Sequence, residues 1–76
     1  MIDQLLKYTV ILEEGTSSYG AYVPDLPGCV AVGETREEAL QLIQEAISFH
    51  LEDLHERGYL IPEPTSTSET VTLSIS

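Results

Sequence analysis

The chain has 76 residues and a formal net charge of −10, from 13 acidic residues against 3 lysines and arginines. So few cations disfavour direct binding to nucleic acid or to an anionic membrane, because both need basic side chains that face phosphates. One cysteine excludes an internal disulfide, and no apolar run approaches the ~20 residues that span a bilayer. We therefore expect one cytoplasmic domain over residues 1–76, with a basic protein as its natural partner.

The first part of the chain predicts an antiparallel meander of three strands. Alternation over residues 6–13 predicts the first strand, and residues 14–18 have the composition of a hairpin loop. Residues 19–23 and 29–33 predict the second and third strands. The residues of the first strand that we expect to face the core are Leu6, Tyr8, Val10 and Leu12.

Between the second strand and the helix, the sequence indicates a tight turn and a helix cap. Pro24 ends the second strand because proline cannot donate to a ladder. Pro27-Gly28 fits a type II turn, in which glycine supplies the positive φ. Thr35 is a predicted N-cap, and Glu38 three residues later completes a capping box.

Apolar residues at helical spacing predict a helix from Thr35 to Arg57, with Gly58 as the residue that ends it. Residues 58–69 are rich in turn residues and include a Thr-Ser-Thr-Ser run that we expect to be mobile. Alternation over residues 70–75 predicts a last strand, reached by a right-handed crossover. The apolar stripe that we expect on the helix contains Ala39, Leu40, Ile43, Ala46, Ile47, Leu51 and Leu54.

These elements predict an α+β fold of order β-β-β-α-β, with one helix on one face of a small sheet. A chain this short is marginally stable without a disulfide, a metal or self-association, so we expect a homo-oligomer, dimer or tetramer. The uncovered sheet face, together with Leu42 and Phe49, is the candidate interface, and residues 70–75 offer an exposed edge.

The residues that carry chemistry in other proteins predict no catalytic, cofactor or metal site here. Cys29 follows a tight turn in an acidic chain and is expected to be a buried structural residue. His50 and His55 are five apart, whereas two ligands on one helix face need a spacing of three or four. A metal-dependent nuclease built on the carboxylates is the least favoured alternative.

Carboxylates are the candidate partner-binding residues, since they complement a basic surface. Asp25 ranks first because the surrounding prolines hold it rigidly, although an Asp that caps the turn amides is the commoner structural role. Glu13 and Glu14 at the hairpin end are the next candidates. Glu45, Glu52 and Glu56 on the outer helix face form a second option, where charges are more often simply solvated.

Five motifs follow one another in the order seen in HicB-type antitoxins, and the chain resembles that family over residues 7–64. They are Tyr8-x-Val10, Tyr19-Gly20-Ala21, Pro24-Asp25-Leu26-Pro27-Gly28-Cys29, Gly33-x-Thr35-x-x-Glu38-Ala39 and Gly58-x-x-Ile61-Pro62-x-Pro64.

The resemblance implies a partial RNase H-like fold, with the fourth strand beside the first. It also implies an antitoxin that neutralises a HicA-type toxin, a small basic ribonuclease that cleaves mRNA. Many relatives add a C-terminal DNA-binding domain, and this chain stops at Ser76, so direct DNA binding and autoregulation are doubtful. The first strand carries Tyr8 and Val10 in place of a central Asp, so the fold does not bring RNase H activity with it.

An oligomeric scaffold or ligand-binding module of the same fold, without a toxin partner, is the alternative. It predicts no adjacent toxin gene and a pocket between subunits. The neighbouring genes would discriminate between the two functions.

Overall fold

Three strands and one helix make up the fold in the computed structural model, which describes residues 5–75. The elements are β1 (Ile11–Glu14), β2 (Tyr19–Tyr22), β3 (Val30–Gly33) and α1 (Arg36–Glu56). The strands form one antiparallel sheet in the order β1-β2-β3. The predicted α+β class, with its three-stranded meander and single helix, is confirmed.

β1 is shorter than the sequence predicts, since it begins at Ile11 and not at residue 6. The register pairs Ile11 with Tyr22, the last residue of β2. Pro24 and the turn that follows take the chain away from the sheet directly after this pair. Residues 6–10 therefore lie beyond the end of β2 and have no ladder partner there, although their alternation suits a strand.

The fourth strand predicted over residues 70–75 is not formed: from residue 59 to residue 75 the described chain has no strand. The side chains of Val71, Leu73 and Ile75 are exposed. Alternation of apolar and polar residues indicates which face of a strand would be buried. A strand also needs the free edge of a neighbouring strand with which to form hydrogen bonds. The structure of one chain gives this segment no such partner.

The helix covers one face of the sheet, which we call the inner face, and packs most closely over β3. The buried core consists of Ala21, Val23, Leu26, Cys29, Ala39 and Ile43. Of the four residues of the first strand predicted to face the core, Tyr8, Val10 and Leu12 are partly buried against it, and Leu6 is not among the residues that pack there. Gly33 allows the close approach of helix and sheet, because a Cβ there would lie 2.6 Å from the Ala39 nitrogen.

The predicted turn is confirmed by its backbone geometry. The Cys29 N–H donates to the Leu26 carbonyl at 3.1 Å, and Gly28 has a φ of +85°. This is the positive φ that the third position of a type II turn requires. The turn places Leu26 and Cys29 in the core.

Both ends of α1 are capped. The Glu38 N–H donates to Thr35 Oγ1 at 3.0 Å, which confirms the N-cap, and Glu38 Oε1 accepts from the Glu34 N–H at 2.6 Å. The reciprocal bond thus reaches one residue further back than in a standard capping box. At the other end, the N–H groups of Gly58 (φ +77°) and Tyr59 donate to His55 and Leu54 carbonyls, which is a Schellman motif.

Candidate partner-binding surfaces

The outer face of α1 carries an exposed aromatic residue between two carboxylates. Phe49 is 75% exposed, although it lies in the middle of a helix. Glu45, Ser48 and Glu52 surround it on the same exposed helix face. Glu45 precedes Phe49 by four residues and Glu52 follows it by three, so all three project from the same side of the helix.

The electrostatic character of this helix face is uniformly acidic. No lysine or arginine occurs between Glu37 and Glu56 in the sequence. Arg57, which follows the helix, is engaged with Asp53, with 3.1 Å between its Nε and the Asp53 Oδ1. An apolar ring with an acidic border suits a partner that offers an apolar pocket with a basic rim.

The other predicted carboxylates lie at separate places on the molecule. Glu13 and Glu14 are exposed at the end of β1, beside the hairpin. Asp25 follows the opposite end of β2, so the structure does not bring it together with the hairpin pair. Glu56 is exposed at the last residue of α1. Within residues 5–75, no three or more His, Cys, Asp or Glu side chains are grouped in a way that could hold a metal ion.

Asp25 is bound within its own chain, in an arrangement that we call the Asp25 clasp. Its Oδ2 accepts from the backbone N–H groups of Thr65 and Ser66, both at 2.9 Å. Its Oδ1 accepts from the hydroxyls of the same two residues, at 3.2 Å and 2.8 Å. The expectation that the Thr-Ser-Thr-Ser run is mobile is therefore corrected at its first two residues, which anchor the chain after the helix.

Two further hydrogen bonds hold the chain that follows the helix. The Tyr8 hydroxyl donates to the Pro62 carbonyl, and Thr9 Oγ1 donates to the Ser66 carbonyl at 2.6 Å. Burial raises the pKa of the Tyr8 hydroxyl, and the charges of Glu63 and Asp25 raise it further. Tyr8 therefore stays a neutral donor at physiological pH.

The clasp also changes the acidity of its carboxyl group. The hydrogen bonds from the Ser66 backbone and side chain hold the pKa of Asp25 below its usual range; desolvation opposes them, and the hydrogen bonds from Thr65 lower the pKa further. Hydrogen bonds to a carboxylate favour its charged form, so the clasp and the charge support one another.

The outer face of the sheet is apolar and uncovered in the single chain. The register aligns Ile11, Tyr22 and Val30 across the three strands, and places Val32 beside Gly20 on the same face. Val30 and Val32 are 64% and 66% exposed. This is the uncovered sheet face that the sequence predicts.

The remaining residues considered from the sequence are accounted for as follows. Cys29 is buried, as predicted, and burial raises the pKa of its thiol. His50 is half-buried on the helix, and His55 is exposed in its last turn. Across the described residues, no helix is long and apolar enough to cross a bilayer.

Sequence comparisons connect the chain with antitoxins. A family described as the HicB-like antitoxin of a bacterial toxin–antitoxin system matches residues 8–73. A UPF0150 protein of Thermoplasma acidophilum is 40% identical over 67 residues, which cover 87% of this chain and 97% of that protein. Antitoxin HicB 2 of Photorhabdus laumondii subsp. laumondii is 34% identical over 68 residues, or 84% of this chain. The chain spans 46% of that antitoxin and 42% of a related protein of Haemophilus phage HP1.

Comparison with solved structures also connects the chain with HicB antitoxins. The N-terminal domain of the Burkholderia pseudomallei antitoxin HicB superposes with a TM-score of 0.68 at 37% identity, over 76% of this chain and 69% of that one. A structure described as the HicA3 and HicB3 toxin–antitoxin complex contains a chain that superposes with a TM-score of 0.66 at 27% identity, over 79% and 70%. The chain therefore belongs to the HicB-like antitoxin family.

Proposed function

We propose that this chain is a non-enzymatic antitoxin that binds and neutralises a small basic HicA-type toxin in the cytoplasm, and that it acts as a homo-oligomer. The family match and the similarity to a chain of a toxin–antitoxin complex support the antitoxin role. The net charge of −10 supports a basic partner, because opposite potentials accelerate encounter and disfavour wrong partners. The apolar outer face of the sheet supports self-association.

The observation that carries the proposal is the exposed Phe49 between Glu45 and Glu52. Aromatic side chains are enriched among the few residues that dominate binding energy, and charged residues commonly form the rim around them. Phe49 is 75% exposed, so the free chain leaves most of its ring in water. A partner that covers it gains apolar burial, and the two carboxylates complement that partner's Lys and Arg side chains.

The helix face is a stronger candidate for this contact than the loop of Asp25. Both oxygens of the Asp25 carboxylate already accept hydrogen bonds within the chain. A toxin cation that approached Asp25 would have to share these oxygens with Thr65 and Ser66. Glu45 and Glu52 flank Phe49 on the helix, and neither takes part in a side-chain hydrogen bond among the described residues.

The test is to co-express the chain with any small basic protein that is encoded beside its gene, and to measure growth and complex formation. We expect the pair to restore growth and to copurify as a stable complex. Calorimetry at two salt concentrations should show weaker binding at high salt. If no such protein forms a complex, the scaffold or ligand-binding alternative takes the place of the antitoxin.

Two variants with matched controls test the docking face. Phe49→Ala should weaken toxin binding by about 30-fold or more, the loss typical of a hot-spot residue. Leu60→Ala removes an apolar side chain that is also exposed, but lies outside the helix, and should leave affinity unchanged.

To test the charges, Glu52→Gln should slow association with the toxin and reduce the salt dependence of that rate. Glu13→Gln makes the same charge change at the hairpin and serves as the control, for which we expect a smaller effect. A larger effect of Glu13→Gln would move the interface to the hairpin. An Asp25→Lys effect above that of Glu52→Lys would move it to the Asp25 loop.

A further inference from the structure

We propose that the outer face of the sheet packs on the same face of a second copy, with Tyr22 of each copy over Gly20 of the other. This inference rests on the self-association in the proposed function and is independent of the toxin. It identifies the surface that joins two copies and the residues that meet across it.

The outer face is a small apolar surface with a single charged residue at its border. The register arranges its residues in two rows across the strands, Ile11-Tyr22-Val30 and Glu13-Gly20-Val32. Val30 and Val32 are 64% and 66% exposed, so the single chain leaves much of this face in water. Glu13 belongs to the edge strand β1 and is exposed. The interior of the face therefore carries no charge.

The end of the same chain does not cover this face. The helix packs on the inner face, where the buried core lies. Every residue from Thr67 to Ile75 is exposed, so this segment does not lie on the sheet. An occupant of the outer face therefore has to come from another molecule.

Charge determines which molecule fits. The helix side of the chain carries Glu45 and Glu52 beside Phe49, so two copies joined there would bring like charges together. A basic toxin on the outer face would bury Lys or Arg side chains where the interior of the face has no carboxylate to pair with them. The surface that fits is apolar and uncharged, and a second copy of this chain offers one at the same place.

The shape of the face is also self-complementary. A Cβ built on Gly20 meets no atom within 4 Å, so open space lies above the backbone there. Tyr22 follows two residues later and projects from the same face. A two-fold axis between the sheets, running across the strands, places each Tyr22 over Gly20 of the other copy and each Val30 over Val32. The same axis keeps the two Glu13 side chains apart.

The size of the face limits the strength of this dimer. It is three strands wide, and each strand has four residues. Standard protein interfaces bury about 800 Å² on each partner, and a face of this width offers less. We therefore expect a dimer whose population rises with concentration, with a dissociation constant in the micromolar range.

Charge substitutions with a matched control test the surface. Val32→Lys puts an unpaired cation into the interior of the face and should raise the dimer dissociation constant at least about tenfold in sedimentation equilibrium. Val71→Lys makes the same change at a valine that is 73% exposed in the last segment, and should leave the constant unchanged. Both valines are exposed in the single chain, so the circular dichroism spectra of the two variants should match that of the wild type.

Thiol cross-linking tests which residues meet. One preparation carries Val30→Cys and another carries Val32→Cys, while the wild type, whose Cys29 is buried, serves as the unreactive blank. The two-fold axis brings position 30 of one copy to position 32 of the other and holds identical positions farther apart. After mixing, a short bismaleimide should therefore join the two different chains more efficiently than it joins either variant to itself.

Several results would overturn this inference. They are a wild type that stays monomeric at every concentration reached in sedimentation, a dimer indifferent to Val32→Lys, and a dimer that Val71→Lys disrupts equally. Preferential cross-linking of identical positions would reject the proposed two-fold pairing.

The outcome is separable from that of the proposed function. The toxin is expected on α1, at the opposite side of the sheet, so Val32→Lys should weaken the dimer and leave the toxin affinity unchanged. Lost toxin affinity with an intact dimer would show that the toxin covers the outer face, and would overturn the inference. A dimer with the expected cross-links that binds no basic toxin would uphold the inference and reject the antitoxin proposal.

Discussion

The meander and helix, residues 11–56, contain every side chain of the buried core, whereas residues 59–75 contain none. The first region is stabilised by apolar burial between the helix and the inner face of the sheet. The second is attached by polar contacts, above all by the four hydrogen bonds of Asp25. Substitutions in the first region should therefore change the stability of the whole fold, and those at the clasp should change only the attachment of residues 59–75.

The largest effect should come from Gly33→Ala. A Cβ at this position meets Ala39 backbone atoms at 2.6 Å and 3.0 Å, and backbone cannot move aside as a flexible side chain can. We expect a loss of about 1–3 kcal/mol in the free energy of unfolding, as for other overpacked cores. Urea denaturation measures it.

Gly20→Ala is the matched control for that substitution. Gly20 also lies in a strand, but a Cβ there meets nothing within 4 Å. The change should be neutral or slightly stabilising, because alanine has less freedom in the unfolded chain. Equal losses for both variants would mean that the helix does not rest on Gly33.

Next in size is Gly28→Ala, which tests the turn that delivers Leu26 and Cys29 to the core. The φ of +85° costs an L-residue about 1–2 kcal/mol, and no neighbouring atom lies within 4 Å of the added Cβ. The loss should therefore come from the backbone alone. Total synthesis with D-alanine at position 28, which favours positive φ, should restore the melting temperature; a failure to restore it would contradict this explanation.

Thr35→Ala should cost about 1 kcal/mol, the usual value for an N-cap. It removes the acceptor for the Glu38 N–H and leaves that donor without its partner at the start of α1. Thr35→Ser keeps the oxygen and should keep most of the stability. Thermal denaturation of the wild type, Thr35→Ala and Thr35→Ser, followed by circular dichroism, measures this. An unchanged melting temperature for Thr35→Ala would show that the Thr35 cap does not stabilise the helix.

The smallest effect on global stability, and the most local one, should come from Asp25→Ala. Hydrogen exchange at the Thr65 and Ser66 amides should accelerate several-fold, because both amides donate to the lost carboxylate. Asp53→Ala, which breaks an exposed ion pair with Arg57, should leave these two amides unchanged. Uniform acceleration throughout α1 and the sheet would show that the clasp supports the whole fold.

The same clasp predicts a pH dependence with a defined sign. The pKa of Asp25 is lower in the folded chain than the value of about 4 expected when unfolded. The clasp therefore contributes fully above about pH 4 and is lost as the pH falls through the lowered pKa. Amide protection at Ser66, corrected for intrinsic exchange, should follow this course, and Asp25→Ala should abolish it.

The sequence predicts best the features that are decided within four residues of one another. The turn at Gly28, the cap at Thr35 and the helix end at Gly58 each depend on one short motif, and each is confirmed. The partners of Asp25 lie 40 and 41 residues away, so no local pattern contains them. The only available signal is a run of hydroxyl residues after the helix, which equally suits a mobile loop.

The exposed helix face around Phe49 can be predicted from the sequence only in part, because its exposure also depends on contacts between distant elements. Helical spacing identifies Phe49 as lying at the edge of the apolar stripe, but only the packing of α1 on the sheet decides that its ring stays exposed. Alternation over residues 70–75 predicts a strand, and this prediction is wrong for the single chain because the pattern does not supply the edge that a strand needs. The close contact at Gly33 likewise depends on the distance between two elements, which composition does not determine.

The clasp also has a consequence for the order in which the chain folds. Joining Asp25 to Ser66 closes a loop of 41 residues, and the entropy lost by such a closure grows with the logarithm of loop length. The meander joins neighbours along the chain and the helix forms within itself, so both meet a smaller entropic barrier. Once they have formed, they bring residues 25 and 66 near each other and most of that closure is already complete. We therefore expect the clasp to close last during folding and to open first during unfolding.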